Sequence, residues 1–212
     1  NQDNNGINTQ NGAVDYGEQI VVDIQLENVG ISASGNLTLS ITANHPGITW
    51  VDNSASQSAM SASQNIVIAD AFAYNVSSAI ADGTVVTFTI TITDDQGNSW
   101  TSTFNETIQA PVLTCGEVII NDTQGNGDGL LQTGEFVYLE YHILNQGHAA
   151  ADVSDVTAVT TANLNLTIAN SSIGIIAANG GDNFVALSFT VGGTANIAEN
   201  ASLDISVISG AY

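Results

Sequence analysis

The chain has no lysine and no arginine among its 212 residues, against 21 aspartates and glutamates. Charged residues make up 10% of the chain, whereas ordinary proteins carry them at roughly a quarter of positions, so bases are depleted rather than acids enriched. Nucleic-acid binding needs cationic side chains that neutralise phosphates, and adsorption to anionic lipid needs them too. The composition therefore excludes both kinds of partner.

Long apolar runs and paired cysteines are also missing. No stretch reaches the roughly 18 consecutive apolar residues of a transmembrane helix, so we expect no membrane insertion. Cys115 is the single cysteine, which rules out an internal disulfide. A lone thiol is usually a small buried hydrophobe, and an intermolecular bond or a reactive thiol is the alternative.

The sequence offers no convincing catalytic residues. A cysteine nucleophile needs a histidine within hydrogen-bond reach, and Cys115 would have to pair with His142 or His148. Cys115 and His142 both fall on predicted strands, where packing or edge positions are the usual role. The three histidines show no clustered spacing of a zinc site. We therefore expect a protein that is not an enzyme.

What the chain does have is an internal repeat. Residues 17–30 read GEQIVVDIQLENVG and residues 134–147 read GEFVYLEYHILNQG. Glu18 falls on Glu135, which sets the offset at 135 − 18 = 117 residues. The same offset returns where Ile80-Ala-Asp82 falls on Ile197-Ala-Glu199. The repeat predicts two tandem domains, residues 1–110 and 111–212, with Pro111 at the boundary.

Apolar residues alternate with polar ones through most of both copies. In Thr84–Thr93 the apolar face is Val86, Phe88, Ile90 and Ile92, and threonine fills most of the other face. Period-two alternation is typical of half-buried strands. Clusters of Gly, Asn, Asp and Ser separate these runs, and no segment shows convincing helical periodicity. The pattern predicts an all-β fold of two antiparallel sandwiches.

Each copy is incomplete, and at opposite ends. We expect copy one to lack a counterpart of the strand Leu113–Asn121, and copy two to lack a counterpart of Trp100–Ile108. An unpaired sheet edge is a liability that proteins normally cover. Two explanations remain open: the chain is a segment of a longer repeat array, or a neighbouring subunit donates the missing strands, as in a filament.

The loop before the repeated strand resembles a calcium loop in its spacing. In Gln124–Glu135, Asn126 and Asp128 take the third and fifth positions, and Glu135 takes the twelfth. Asp122 supplies the carboxylate that Gln124 lacks. The weaker candidates in copy one are Asp3, Asn5, Asp15 and Glu18. The alternative is that these residues only form turns, which Asn, Asp and Gly favour without metal.

The same residues carry a family resemblance. Asp122, the Asn126–Gly129 run, Gly134-Glu135, an alternating strand and then Asn145-Gln-Gly147 together resemble immunoglobulin-like repeats of bacterial secreted and cell-surface proteins. These are the repeats related to cell adhesion that also accompany gingipain-like peptidases. The resemblance implies an extracellular, immunoglobulin-like β-sandwich that serves as a spacer, stalk or adhesin.

Glycan chemistry is a further candidate. Glycosylation at Asn-x-Ser/Thr sites would shield an exposed chain. Trp50 and Trp100 either stack on sugars or serve as core residues. The chain has seven candidate acceptors: Asn36, Asn75, Asn105, Asn121, Asn165, Asn170 and Asn200.

Together these observations predict an extracellular or cell-surface protein with a structural or adhesive role, such as a stalk, adhesin or filament subunit. Its partners would be other copies of itself or adjacent repeats, and surface glycans are a further candidate. The alternative is a non-catalytic accessory module of a secreted hydrolase or peptidase that binds carbohydrate or protein.

Overall fold

The structure is a computed structural model that describes residues 2–3, 11–160, 163–168, 172–196 and 198–210. All regular structure in these residues is β-strand, as the sequence predicts. Accordingly, none of them forms a helix long and apolar enough to cross a membrane. The chain divides into two compact units, Asn1–Ala110 (unit 1) and Pro111–Tyr212 (unit 2).

The strands of unit 1 form two sheets, with the orders β1-β3-β7-β5 and β2-β9-β8-β4-β6. All their pairings are antiparallel except that of β2 with β9. The strands are β1 (Gln2–Asp3), β2 (Val14–Asp15), β3 (Gln19–Glu27), β4 (Leu37–Ala43), β5 (Ile48–Asp52), β6 (Ser54–Gln57), β7 (Asn65–Val76), β8 (Thr84–Asp94) and β9 (Ser99–Gln109).

Alternating side chains from both sheets of unit 1 share one hydrophobic core. On β8 the side chains of Val86, Phe88 and Ile90 are buried, as the alternation predicts. They join residues of β3 and β7 from the other sheet in a single cluster. Two sheets that enclose one core are the arrangement of a β-sandwich.

Aromatic rings form the centre of this core. Phe88 stacks on Phe104 with 4.9 Å between ring centroids, and Tyr74 lies 5.0 Å from Phe88. Burial raises the pKa of the Tyr74 hydroxyl. Trp50 meets Tyr74 edge-on at 5.8 Å, so it is a core residue, whereas Trp100 is 47% exposed.

Unit 2 also has a four-stranded antiparallel sheet, ordered β10-β11-β16-β14, together with the pairs β13-β17 and β12-β15. Residues of all three sheets contribute to one core. The strands are β10 (Leu113–Asn121), β11 (Phe136–Asn145), β12 (Ala151–Val153), β13 (Asp155–Thr160), β14 (Leu164–Ile168), β15 (Gly174–Ile176), β16 (Gly181–Val191) and β17 (Leu203–Ile208).

The strand pairings repeat along with the sequence. At the offset of 117 residues, β3 and β7 correspond to β11 and β16, which are also paired. The register repeats over the second half of β3: Leu26 pairs with Ile66 in unit 1, and Ile143 with Asn183 in unit 2 (143 − 26 = 117; 183 − 66 = 117). Over the first half, an irregularity between Val22 and Ile24 shifts the register of unit 1 by two residues. The pairs β4·β8 and β5·β7 correspond in position to β13·β17 and β14·β16, although their registers differ.

The two units differ at their first and last strands. The first strand of unit 1 is not wholly absent, because Gln2–Asp3 pairs with β3, but only these two residues of it are described, against nine of β10. At the other end, β8 lies between β4 and β9, whereas β17 pairs with β13 and no strand of the described residues lies along its other edge. Among the described residues, the presence of β9 in unit 1 is therefore the main structural difference between the units.

Candidate functional site

The repeated Gly-Glu motif closes the same turn in both units. The Asp15 N–H donates to Glu18 Oε2 over 2.8 Å, and the Gln132 N–H donates to Glu135 Oε2 over 2.8 Å. The preceding glycines, Gly17 and Gly134, have positive φ angles of 75° and 83°, which glycine adopts without strain. Sequence reasoning assigned these glutamates only to metal, although their identical spacing is also the signal of a shared turn.

A second shared turn lies seven residues earlier. Asn11 Oδ1 accepts the Ala13 N–H at 2.7 Å, and Asp128 Oδ1 accepts the Leu130 N–H at 2.9 Å (128 − 11 = 117). Each of these side chains also forms a hydrogen bond with the side chain four residues later, but the amide and the carboxylate exchange places between the two units. Asn11 donates its amide to the Asp15 carboxylate, while Asp128 accepts from the Gln132 amide. Each loop thus has one amide and one carboxylate in this pair.

The predicted ligands of copy two lie on one loop, and their side-chain oxygens accept hydrogen bonds from backbone N–H groups of the same loop. Asp122 Oδ2 accepts the Gly129 N–H at 2.8 Å, and Glu135 Oε1 accepts the Asn126 N–H at 3.2 Å. Asn126 Oδ1 accepts the Asp128 N–H at 3.0 Å. These bonds organise the loop without a cation. Among the described residues no group of three or more His, Cys, Asp or Glu side chains could hold a metal ion. Calcium at these residues stays a prediction.

The predicted ligands of copy one are more deeply buried. Asp15 and Glu18 are 0% and 1% exposed. Taking carboxylates out of water is costly unless hydrogen bonds or cations compensate, and the chain has no lysine or arginine to do so. The backbone of Asp3 lies in β1, but its side chain and all of Asn5 lie outside the described residues.

The repeated Asn-x-Gly motif forms the same corner in each unit, with Asn28 half-buried and Asn145 fully buried. Asn28 Oδ1 accepts the Gly30 N–H, and Asn145 Oδ1 accepts the Gly147 N–H, each over 3.0 Å. Asn145 also accepts the Val112 N–H at 3.1 Å, which anchors the chain just before β10. The Gly-Glu motif and the Asn-x-Gly motif therefore each have a structural role, in a turn and in a corner, that needs no ligand.

Cys115 is exposed, so the expectation of a buried thiol is wrong. The reason is that β10 is an edge strand, and no described strand covers this part of its inner face. The Tyr141 hydroxyl donates to Cys115 Sγ over 2.6 Å, and this bond raises the pKa of Tyr141 to about 12. His142 lies on the opposite face of β11, with Nδ1 3.0 Å from the Asp182 carboxylate. The thiol and this imidazole are thus directed to different partners.

The candidate glycosylation sites lie at the surface wherever the structure describes them. Asn170 falls outside the described residues. Exposure is what attachment of a glycan requires, and whether glycans are attached stays a prediction. The exposed acceptors are Asn36, Asn75, Asn105, Asn121, Asn165 and Asn200.

Unit 2 has an open apolar groove where unit 1 has β9. The groove, which we call the strand slot, lies between β17 and the β10–β11 pair and has a volume of about 170 Å³. Residues that β9 covers in unit 1 have uncovered counterparts here: Phe88 is fully buried, but Ile205 is only half-buried (205 − 88 = 117). Leu113, Thr114, Cys115, Tyr141, Ile143, Ile205 and Val207 line the slot.

Unit 1 has its own groove of about 400 Å³ at the end of β3. Leu26 and Asn28 line it, and their counterparts Ile143 and Asn145 pair with Cys115 and Leu113 of β10. Met60 and Trp100 complete its apolar wall. The groove therefore lies where the first half of a full-length first strand would run.

No protein-family model matches the chain, and no curated protein matches it. Solved structures that are similar in part include the YadV chaperone, at 12% identity and a TM-score of 0.31, covering 93% of this chain and 90% of that one. The secreted serine protease VesC from Vibrio cholerae is 11% identical with a TM-score of 0.33, and the match covers 93% of this chain and 49% of the protease. The C-terminal domain of BspA is 12% identical with a TM-score of 0.32, and the match covers 89% of this chain and 82% of that domain. TM-scores this low do not establish a shared fold.

Proposed function

We propose that the chain is a structural or adhesive part of an extracellular protein, a segment of a surface stalk, adhesin or filament subunit. It is not an enzyme in this proposal. One observation carries it: four strand pairings of unit 1 recur in unit 2, so a similar β-unit is present twice among the described residues. Modules of this kind join end to end, because a strand from the next module can complete each sheet.

The order of the strands supports an immunoglobulin-like sandwich. In that fold one sheet has the order A-B-E-D and the other contains C, F and G. Unit 1 follows this order, with β1-β3-β7-β5 in one sheet and β4-β8-β9 adjacent in the other. Unit 2 repeats the first sheet as β10-β11-β16-β14.

The uncovered edges support strand addition as the mode of assembly. An extended segment that joins an open sheet edge gains backbone hydrogen bonds, and pockets for alternate side chains give specificity. The groove of unit 1 and the strand slot of unit 2 are both apolar and lie at strand positions that the other unit fills. Other copies of the chain, or adjacent repeats of a longer one, are the proposed partners.

Calcium is the proposed cofactor, bound at the loop before β11 and more weakly at the matching loop of unit 1. Its role would be to stiffen the module, since an ion that binds only the folded state adds stability by mass action. The oxygen-rich loop of Asp122, Asn126, Asp128 and Glu135 supports this proposal.

Immunoelectron microscopy of the native cells tests the proposed function. Antibody against the chain should label appendages or the outer surface. Label confined to the cell interior would contradict the proposal. Isolation of the chain only as a part of a catalytic polypeptide would favour the accessory module instead.

A further inference from the structure

We infer that Asn126 is a site of spontaneous covalent modification, where the side-chain amide is lost as ammonia and the residue becomes aspartate or isoaspartate. The inference goes beyond the proposed function, because the reaction requires neither a partner nor calcium. It needs an asparagine followed by glycine, a backbone nitrogen that is free to attack, and an amide side chain that is free to turn toward that nitrogen.

The reaction joins two neighbouring residues into a ring, which water then opens. The backbone nitrogen of Gly127 attacks Cγ of Asn126 and forms a succinimide. The C–N bond of the amide breaks, and the nitrogen leaves as ammonia with the proton that the Gly127 N–H gives up. Water then adds to one ring carbonyl and breaks its bond to the ring nitrogen. The net change consumes water and releases ammonia, so no oxidant or reductant is needed.

The nitrogen of Gly127 is open to this reaction. Gly127 is exposed, and its φ angle is 70°. A Cβ added at this position would have no heavy atom within 4 Å. Within the described residues its N–H donates no hydrogen bond. Glycine therefore supplies an unhindered nucleophile here, as a residue with a side chain would not.

The side chain of Asn126 is polarised but weakly held. Its Oδ1 accepts the Asp128 N–H at 3.0 Å, and such a donor stabilises the negative charge that develops on this oxygen during the attack. Its Nδ2 donates to Asp128 Oδ2 at 3.2 Å, which is a long hydrogen bond at an exposed position. Because water can replace this bond, little free energy is lost when the amide turns toward Gly127.

The other two Asn-Gly pairs of the described residues each lack one of these features. Asn11 is also exposed, but its Nδ2 donates to the buried Asp15 carboxylate at 2.6 Å. At Asn179 the attacking nitrogen is engaged instead, because the Gly180 N–H donates to the Asn145 carbonyl at 2.7 Å. The structure therefore ranks Asn126 as the most reactive of these asparagines.

The modification adds negative charge to a loop that already contains Asp122, Asp128 and Glu135. The bond between the Asn126 amide and the Asp128 carboxylate becomes a contact between like charges, and the chain has no lysine or arginine to balance them. Isoaspartate also lengthens the backbone by a methylene group. The loop of unit 2 thus changes with the time since folding, whereas the matched loop of unit 1 keeps its amide.

Mass spectrometry of the purified full chain, sampled during incubation at physiological temperature, tests the inference. Fragment spectra locate each converted residue, and a parallel sample in urea removes the structural differences between the pairs. N126Q is the matched variant, because the longer side chain of glutamine closes the ring far more slowly. Hydroxylamine, which cleaves the succinimide, should cut the native chain after Asn126. Cleavage after glutamate releases the three pairs separately, in residues 118–135, 1–18 and 141–199.

We expect Asn126 to convert about tenfold faster than Asn11 and Asn179 in the folded chain, since a hydrogen bond must first break at each slower pair. In urea the rates should be similar, and N126Q should lack the fast conversion. Equal rates in the folded chain, or a faster reaction at Asn11 or Asn179, would overturn the inference. Conversion of Asn126 in urea alone would also overturn it. Because the assay uses purified protein without calcium or a partner, its failure leaves the proposed function untouched.

Discussion

Unit 1 and unit 2 share the pairings of their common strands, β3·β7 with β11·β16 and β4·β8 with β13·β17, but their cores are covered to different extents. In unit 1 the last strand, β9, closes the sandwich, and Val14 and Phe88 are buried against it. In unit 2 the counterparts Leu131 and Ile205 are exposed or half-exposed. The comparison indicates that a single strand, β9, accounts for the burial of Val14 in the loop and of one face of the core.

The largest expected effect comes from making unit 1 resemble unit 2. Ile108→Ala removes a fully buried side chain of β9, and we expect it to cost about 2–5 kcal/mol of unfolding free energy. Both tryptophans lie in unit 1, so their fluorescence during urea unfolding reports this unit alone. Thr103→Ala, on the exposed face of β9, is the control. A loss no larger than that of the control would show that β9 does not close the core.

Removal of calcium sharpens the comparison of the two loops. If calcium binds the loop of unit 2, saturation at 100 times Kd adds about 2.7 kcal/mol, and chelation should lower the melting temperature accordingly. Asp128→Ala removes an oxygen donor and should abolish most of the shift. Calorimetry with and without chelator measures the effect, and an unchanged melting temperature would sink the calcium proposal.

A smaller effect separates the matched positions Val14 and Leu131. Val14→Ala should cost about 1.5 kcal/mol, since roughly two buried methylene equivalents are lost. Leu131→Ala should cost less than about 0.5 kcal/mol, because Leu131 is 43% exposed and surface substitutions rarely exceed this. Urea unfolding of both variants makes the measurement. Equal costs would mean that Leu131 is covered in solution.

The smallest expected effect is a pH dependence in the hairpin that connects β8 to β9. The hydrogen bond from the Asn98 side chain, aided by backbone N–H groups, holds the pKa of Asp94 below its usual value. A lowered pKa contributes stability above the unfolded-state value of about 3.9, and this is lost as the pH falls through the folded-state pKa.

Asn98→Ala should therefore weaken the dependence of unit 1 on pH below about 4. The backbone N–H of Asn196 lowers the pKa of Glu199 in unit 2 in the same way. The pH dependence of stability that Glu199 contributes to unit 2 should therefore persist in the variant. Melting temperatures between about pH 2 and 6 test this, and an unaltered slope for unit 1 would contradict the role of Asn98.

Much of the fold could be predicted from the sequence because it depends on local patterns. Alternation placed β8 and its buried Val86, Phe88 and Ile90, and the offset of 117 residues placed the matching strand pairs (135 − 18 = 117). The exposure of Cys115 could not be predicted, because it depends on whether another strand covers β10. Burial at an edge is a property of the assembled sheets, not of the nearby sequence.

The candidate site was predictable in position but not in role. Composition identified the loops with Glu18 and Glu135 as oxygen-rich, and the structure adds that both glutamates close a turn through backbone N–H groups. The exchange between Asn11–Asp15 and Asp128–Gln132 also escaped prediction, because neither member of a pair repeats the residue type of its counterpart. Only the hydrogen bonds show that the pair as a whole is repeated.

Amide hydrogen exchange of β8 and β17 tests the central claim most directly. The account predicts that the amides of β8 are protected along the strand, because it has neighbours on both edges. In β17, every second amide between Leu203 and Ile208 should exchange rapidly, because only the edge facing β13 is paired among the described strands. Uniform protection of β17 in the isolated chain, equal to that of β8, would contradict an open strand position in unit 2.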